Sequence, residues 1–239
     1  MITSADDSYP SVAALLRGEP RTLARWIADP NAKKFVLCVV TILIGTGLYG
    51  AAMGCWRAPL QGLFVAIKFP LIILLTAAAN AVLNGMLAPL LGLNIGLRQS
   101  FVAILFSFTI LAAILGAFSP LIGFVLWNSP PMASGPRQQG TTYTVIQLTH
   151  VAVIAFAGVT ANLRLLQLLR ELSGNVTVAR RVLFAWLAGN LFFGSQLSWI
   201  LRPFIGSPGL EVEFLRKTAF QGNFYETVFH SVVSLFNPH

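Results

Sequence analysis

Long apolar runs separated by short polar breaks dominate the chain, and their lengths decide what they become. A helix rises about 1.5 Å per residue, so roughly 20 consecutive apolar residues cross the ~30 Å hydrocarbon layer of a bilayer. Five runs reach that length: Phe35 to Trp56, Phe69 to Leu91, Phe101 to Trp127, Tyr143 to about Leu163, and Val182 to Leu201. With no water to take up backbone hydrogen bonds, such runs must close them internally as helices. The pattern therefore predicts an all-α protein, a polytopic transmembrane bundle of about five spans, with an amphipathic interfacial helix at each end.

Small and polar residues interrupt the runs at helical spacing. In the first span Gly47, Gly50 and Gly54 fall on one face, where another backbone can approach closely, and a partner within the same chain is the favoured one. The second carries Thr76, Asn80 and Asn84 on or near one face, with Ala77 and Ala81 beside them, so that face should look into the bundle. Pro120 should kink the third span or end its regular part. Gln147, Thr149 and His150 lie in the fourth span, which continues as a helix past Arg164, Arg170 and Glu171. Gly189, Asn190, Gly194 and Gln196 lie in the fifth, which Arg202-Pro203 ends.

Outside the spans the signals are local. Ser11 can cap a short helix and Pro20 can open another carrying Leu23, Trp26 and Ile27, with Arg17, Arg21 and Arg25 on the wet side, suited either to a headgroup layer or to a cap on the loops. Between Arg57 and Lys68 a moderately apolar stretch with Pro59 and Gln61 is too short to cross alone, and is expected at the interface or dipping partway in. Residues 128–141 form the clearest loop, rich in Pro, Gly, Ser and Gln. Near the C-terminus, Asn223-Phe224-Tyr225-Glu226 is a capping box for a helix of about 13 residues, too short to span. The chain thus divides into a basic segment (1–34), a bundle (35–202) and a C-terminal segment (203–239).

Composition agrees: of 239 residues 56% are hydrophobic and 10% charged, against about 25% charged in soluble domains. The net charge of +8 does not indicate nucleic acid, because the basic residues flank apolar runs, and anionic lipid headgroups are the expected counter-charge. Ten Lys and Arg fall on the side of the N-terminus and six on the other, which predicts a cytoplasmic N-terminus and an exoplasmic C-terminal segment. The general character of the chain points to a bacterial inner membrane. Cys38 and Cys55 stand 17 residues apart in one helix, roughly 25 Å, so no internal disulfide is expected.

Chemistry is sparse. No carboxylate occurs between Asp29 and Glu171, which disfavours proton- or metal-coupled transport. Paired acids, a His-Glu-x-x-His motif, a phosphate-cradling Gly loop and a nucleophile elbow at Gly194-Ser195 are all missing, so neither an enzyme nor a cofactor is expected. Asn175-Val176-Thr177 matches a glycosylation acceptor but falls on the cytoplasmic side, where it would be silent. His150 reads either as a functional intramembrane group or as a neutral imidazole hydrogen-bonded to a neighbouring span, with Asn80 or Asn84 as the expected partner. Lys68 and Arg202 stand at span edges, where they either snorkel to lipid phosphates or pair with Glu211, Glu213 or Glu226 if the C-terminal segment folds back.

Five spans, an amphipathic cytoplasmic N-terminal region and a short exoplasmic end give the chain the layout of the Yip-domain family. Gly50-x-x-x-Gly54, Lys68-Phe69-Pro70 opening a span, and a Pro-containing third span also resemble bacterial members of that general type. The resemblance implies a non-enzymatic membrane organiser working with membrane lipids and other membrane subunits, and it carries no binding residue across. The expectation is a scaffold or accessory subunit. The alternative is a small channel or permease for an anionic or neutral solute, lined by Asn80, Asn84, His150, Asn190 and Gln196.

Overall fold

The computed structural model describes residue 27 and residues 32–130, 139–206 and 211–236. Their regular structure is helical, with no strand among them: α1 (Ala32–Cys55), α2 (Pro59–Leu90), α3 (Leu97–Trp127), α4 (Gln139–Ser173), α5 (Val176–Ile200) and α6 (Phe224–Phe236). The first five are long and apolar enough to cross a bilayer, and the chain is an integral membrane protein. Most of the N-terminal amphipathic segment, including Arg17, Arg21, Leu23, Arg25 and Trp26, lies outside the described residues, as do 131–138 and the Ser207-Pro208-Gly209 turn.

The largest departure from the sequence reading concerns residues 59–68. They neither lie flat nor dip in, but form the first turns of α2, which runs unbroken to Leu90. Ala58 is extended and Pro59 occupies the first turn, where its missing N–H costs nothing, so the helix starts early. At 32 residues α2 is about 48 Å long, well beyond the hydrocarbon thickness.

Pro120 likewise does not end α3, which continues to Trp127. A proline cannot bond the carbonyl four residues back, and here the Ser119 hydroxyl takes up the Gly116 carbonyl at 2.8 Å. Pro70 in α2 frees the Ala66 carbonyl in the same way. That carbonyl faces Gly47 of α1, where a Cβ would stand 3.4 Å from it. α4 stops at Gly174, which has φ 62°, and Asn175 then caps α5 by accepting from the Thr177 amide at 2.8 Å.

α1 packs along both α2 and α3, which also touch each other, while α4 leans on α3, α5 leans on α2, and α4 meets α5. Close backbone approach makes the first three helices a tight unit. A Cβ on Gly50 would stand 2.6 Å from the Val65 carbonyl oxygen and one on Gly54 2.6 Å from that of Gln61, so these glycines lie against α2. Gly45, on another face of α1, meets α3, where a Cβ would overlap the Ala112 carbonyl and Gly116 closes on it from the next turn.

Two apolar clusters follow, one at each end of the bundle. The proximal cluster, at the end where α1 begins, holds Ile42, Leu105, Phe106, Leu168 and Trp186, and Ile27 is buried in it. The distal cluster holds Tyr49, Met53, Val65, Leu115 and Ile146. Around the outside, Ile44, Leu63, Met86, Phe124, Val159, Phe184 and Leu191 are exposed, and in a bilayer these face hydrocarbon.

Candidate functional site

The polar residues of the spans collect at three places. Between α2 and α5, Asn80 and Asn84 are one turn apart and fully buried. The Asn84 amide N–H donates to Asn80 Oδ1 at 2.7 Å, and Asn80 Nδ2 donates both to the Trp186 carbonyl at 3.0 Å and to Asn190 Oδ1. Gly189 admits this approach, because a Cβ there would overlap the Asn80 amide. Thr76 Oγ1, Asn84 Oδ1 and the Trp186 indole N–H are buried along the same helix pair without a partner among the described residues.

His150 sits elsewhere. Its Nδ1 is 2.9 Å from the Tyr49 hydroxyl of α1, and the rings meet edge to face with centroids 5.6 Å apart. The expected bond to Asn80 or Asn84 is not made, because α4 packs on α3 and reaches α1 near Tyr49, whereas the asparagines face α5. Gln196 also falls outside the asparagine network. Its side-chain oxygen accepts from the Phe224 amide at 3.5 Å, at the start of α6, and beside it Ser195 bonds the Tyr225 hydroxyl at 2.8 Å.

The third place is the distal end. Lys68 has no exposed surface, and its ammonium donates to the Pro203 carbonyl at 3.2 Å and lies 5.2 Å from the centroid of the Phe214 ring. Gln61, two turns earlier on the same face of α2, donates to the Pro203 and Phe204 carbonyls at 3.0 and 2.9 Å. Arg202 covers the Trp199 ring at 3.7 Å and donates to the Trp199 carbonyl at 2.7 Å. Burial and then the charge of Arg216 draw the pKa of Arg202 below its usual value.

The C-terminal segment does return to the bundle, but the expected ion pairs are not what holds it there. No carboxylate pairs with Lys68 or Arg202 among the described residues. Glu211 is exposed and Glu213 partly so, while Glu226 belongs to the start of α6, where its amide donates to Asn223 Oδ1 at 2.8 Å and its carboxylate accepts from Asn223 Nδ2 at 3.4 Å. Backbone carbonyls after Arg202 and aromatic rings take their place, with Phe214 edge to face on Phe64 and Tyr225 stacked on Phe192. Lys68 does not snorkel either, since it is buried against Pro203 and Phe214.

Sequence reasoning missed Tyr49, Gln61, Trp186, Pro203 and Phe214. Gln61 and Lys68 are seven residues apart, a same-face spacing that becomes visible once residues 59–68 are read as helix. Tyr49 carries no signal beyond being a phenol inside an apolar run. The described residues bring no three of His, Cys, Asp and Glu together in a metal-binding group. No family model matches the chain, and neither a curated protein nor a solved structure matches it.

Proposed function

We propose that this protein is a non-catalytic membrane organiser, a scaffold or accessory subunit of a membrane assembly, as the Yip-like layout implies. The observation that carries this reading is where the intramembrane polar groups spend their hydrogen bonds. Asn80, Asn84 Nδ2 and His150 Nδ1 are buried and bonded to groups of the same chain, which supports a role between helices, while Asn84 Oδ1 and His150 Nε2 have no partner among the described residues. The excess of basic residues near the ends of α1, α4 and α5 that lie towards the N-terminal side supports a cytoplasmic N-terminus. The resemblance to bacterial chains of the same layout supports an inner-membrane location, in contact with anionic lipid.

A second reading, a small permease for an anionic or neutral solute, is favoured by one observation. Thr76 Oγ1, Asn84 Oδ1 and the Trp186 indole N–H lie buried along α2 and α5 without partners among the described residues, and such groups can serve a polar solute.

Purified protein in proteoliposomes separates the two. The organiser reading expects no selective flux of chloride, phosphate or neutral osmolytes above protein-free vesicles, and a stoichiometric membrane partner retained in mild detergent. Selective flux that Asn84→Ala or His150→Ala abolishes would overturn it.

A further inference from the structure

The distal end gathers more positive charge than its surroundings neutralise. Lys68 is buried beneath Pro203 and Phe214, Arg202 directly precedes Pro203 and lies against Trp199 at the end of α5, and Arg216 follows Phe214 by two residues. Among the described residues no carboxylate pairs with any of the three. Lys68 has a carbonyl and an aromatic face, Arg202 has a carbonyl and an aromatic face, and neither contact supplies a full negative charge. Like charges held together in a partly desolvated place repel strongly unless an anion joins them.

Depth and chemistry narrow the anion. Lys68 stands nine residues into α2, about 14 Å from its start, and the surplus length of α2 over the hydrocarbon layer puts it near the boundary of that layer. Trp56 and Tyr143, with ring centroids 6.1 Å apart, and Trp199 lie at the same end, as an interfacial aromatic belt does. Two guanidinium forks suit the several oxygens of a phosphate better than a single-atom anion. The Trp199 indole N–H, on the ring that Arg202 covers, is buried with no acceptor among the described residues and is a further donor.

We infer that Lys68, Arg202, Arg216 and Trp199 form a binding site for a phosphate-type anion at the distal membrane surface. The anion enters over the partly exposed Arg202 and Arg216, and Lys68 supplies a fixed charge behind them. The same oxygens are offered by a phospholipid headgroup and by free phosphate, and the site holds whether the chain acts as an organiser or as a permease.

The test is thermal unfolding of the full chain in detergent, with added phosphatidylglycerol, phosphatidylcholine, or sodium phosphate matched in ionic strength to sodium chloride. Phosphatidylglycerol is expected to raise the midpoint by several degrees over phosphatidylcholine. Arg216→Gln should at least halve that shift, and Arg202→Gln combined with Arg216→Gln should remove it. Lys217→Gln, an equal charge loss at an exposed neighbour, should leave it intact. Without added anion, Arg216→Gln should melt no lower than the parent chain, because it relieves like-charge crowding. A phosphate shift with the same variant dependence makes free phosphate an occupant, whereas a shift confined to phosphatidylglycerol makes it the headgroup. The proposal fails if neither anion shifts the midpoint beyond its control, or if Arg216→Gln and Lys217→Gln reduce the shift equally.

Discussion

At the scale of single residues, Asn80 is the polar side chain on which most depends. It accepts from Asn84 and donates to the Trp186 carbonyl and to Asn190, whereas Asn190 has one bond in the network. Hydrogen bonds between membrane helices average ~0.6 kcal/mol each, with a ceiling near 1.7. Asn80→Ala removes two bonds between helices and should destabilise by about 1.2 kcal/mol, and Asn190→Ala, which removes one, by about 0.6, a ranking that reversible unfolding in mixed detergent micelles can read. Equal losses would mean that the three amides do not act as a centred network. That Asn80 and Asn84 share an inward face was legible in the sequence, since a four-residue spacing of amides in an apolar helix leaves them nowhere else to go. Which helix they meet was not, because α3, α4 and α5 all carry polar residues at comparable depth and only the packing assigns the partner. His150 shows the same limit: its burial followed from its place in a span, while its pairing with Tyr49 depended on α4 reaching α1.

At the scale of elements, the glycines separate by what lies opposite them. Gly45 and Gly50 of α1 abut the backbone of α3 and α2, whereas Gly123 in α3 and Gly158 in α4 have nothing within 4 Å of an added Cβ. A side chain at the first pair must push a helix away, and overpacking of this kind costs about 1–3 kcal/mol. An alanine at the second pair meets no obstacle and gains up to ~1 kcal/mol of helix propensity. Gly45→Val and Gly50→Val should thus lower the unfolding midpoint clearly, and Gly123→Ala and Gly158→Ala should leave it unchanged or raise it, as read by thermal unfolding of each variant. A uniform response at all four positions would remove close packing as the reason for the first two. The seam of Gly47, Gly50 and Gly54 was readable from spacing, but Gly45 was not, because it faces α3 alone and repeats no pattern within α1. Span lengths were equally uneven as a guide. Apolar content marked α2 as a long helix but hid its first three turns, where Pro59 and Gln61 look like loop residues until Pro59 is seen as a helix start.

For the whole molecule, the number of spans follows from hydropathy, whereas orientation rests on the distribution of charge alone. The connections alternate between the two ends of the bundle, so one orientation fixes every loop: if the N-terminus is cytoplasmic, the α4–α5 turn at Gly174 is inside and the segment that includes Lys217 is outside. Ten Lys and Arg on one side against six on the other is a modest asymmetry, but it is strengthened by the placement of Arg164, Arg170, Arg180 and Arg181 on either side of one tight turn. Four cations within about three turns of that connection make translocation of this end costly, since each would have to cross the hydrocarbon layer. Cysteine labelling in a background lacking Cys38 and Cys55 reads the outcome. Ser173→Cys and Lys217→Cys both place a thiol at a described position, partly exposed at 173 and exposed at 217. In intact cells a maleimide that cannot cross the membrane holding the protein should modify the Lys217→Cys chain and spare the Ser173→Cys chain, which should react only after that membrane is opened. The reverse pattern would invert the bundle, and the cation cluster of Lys68, Arg202 and Arg216 would then face the cytoplasm.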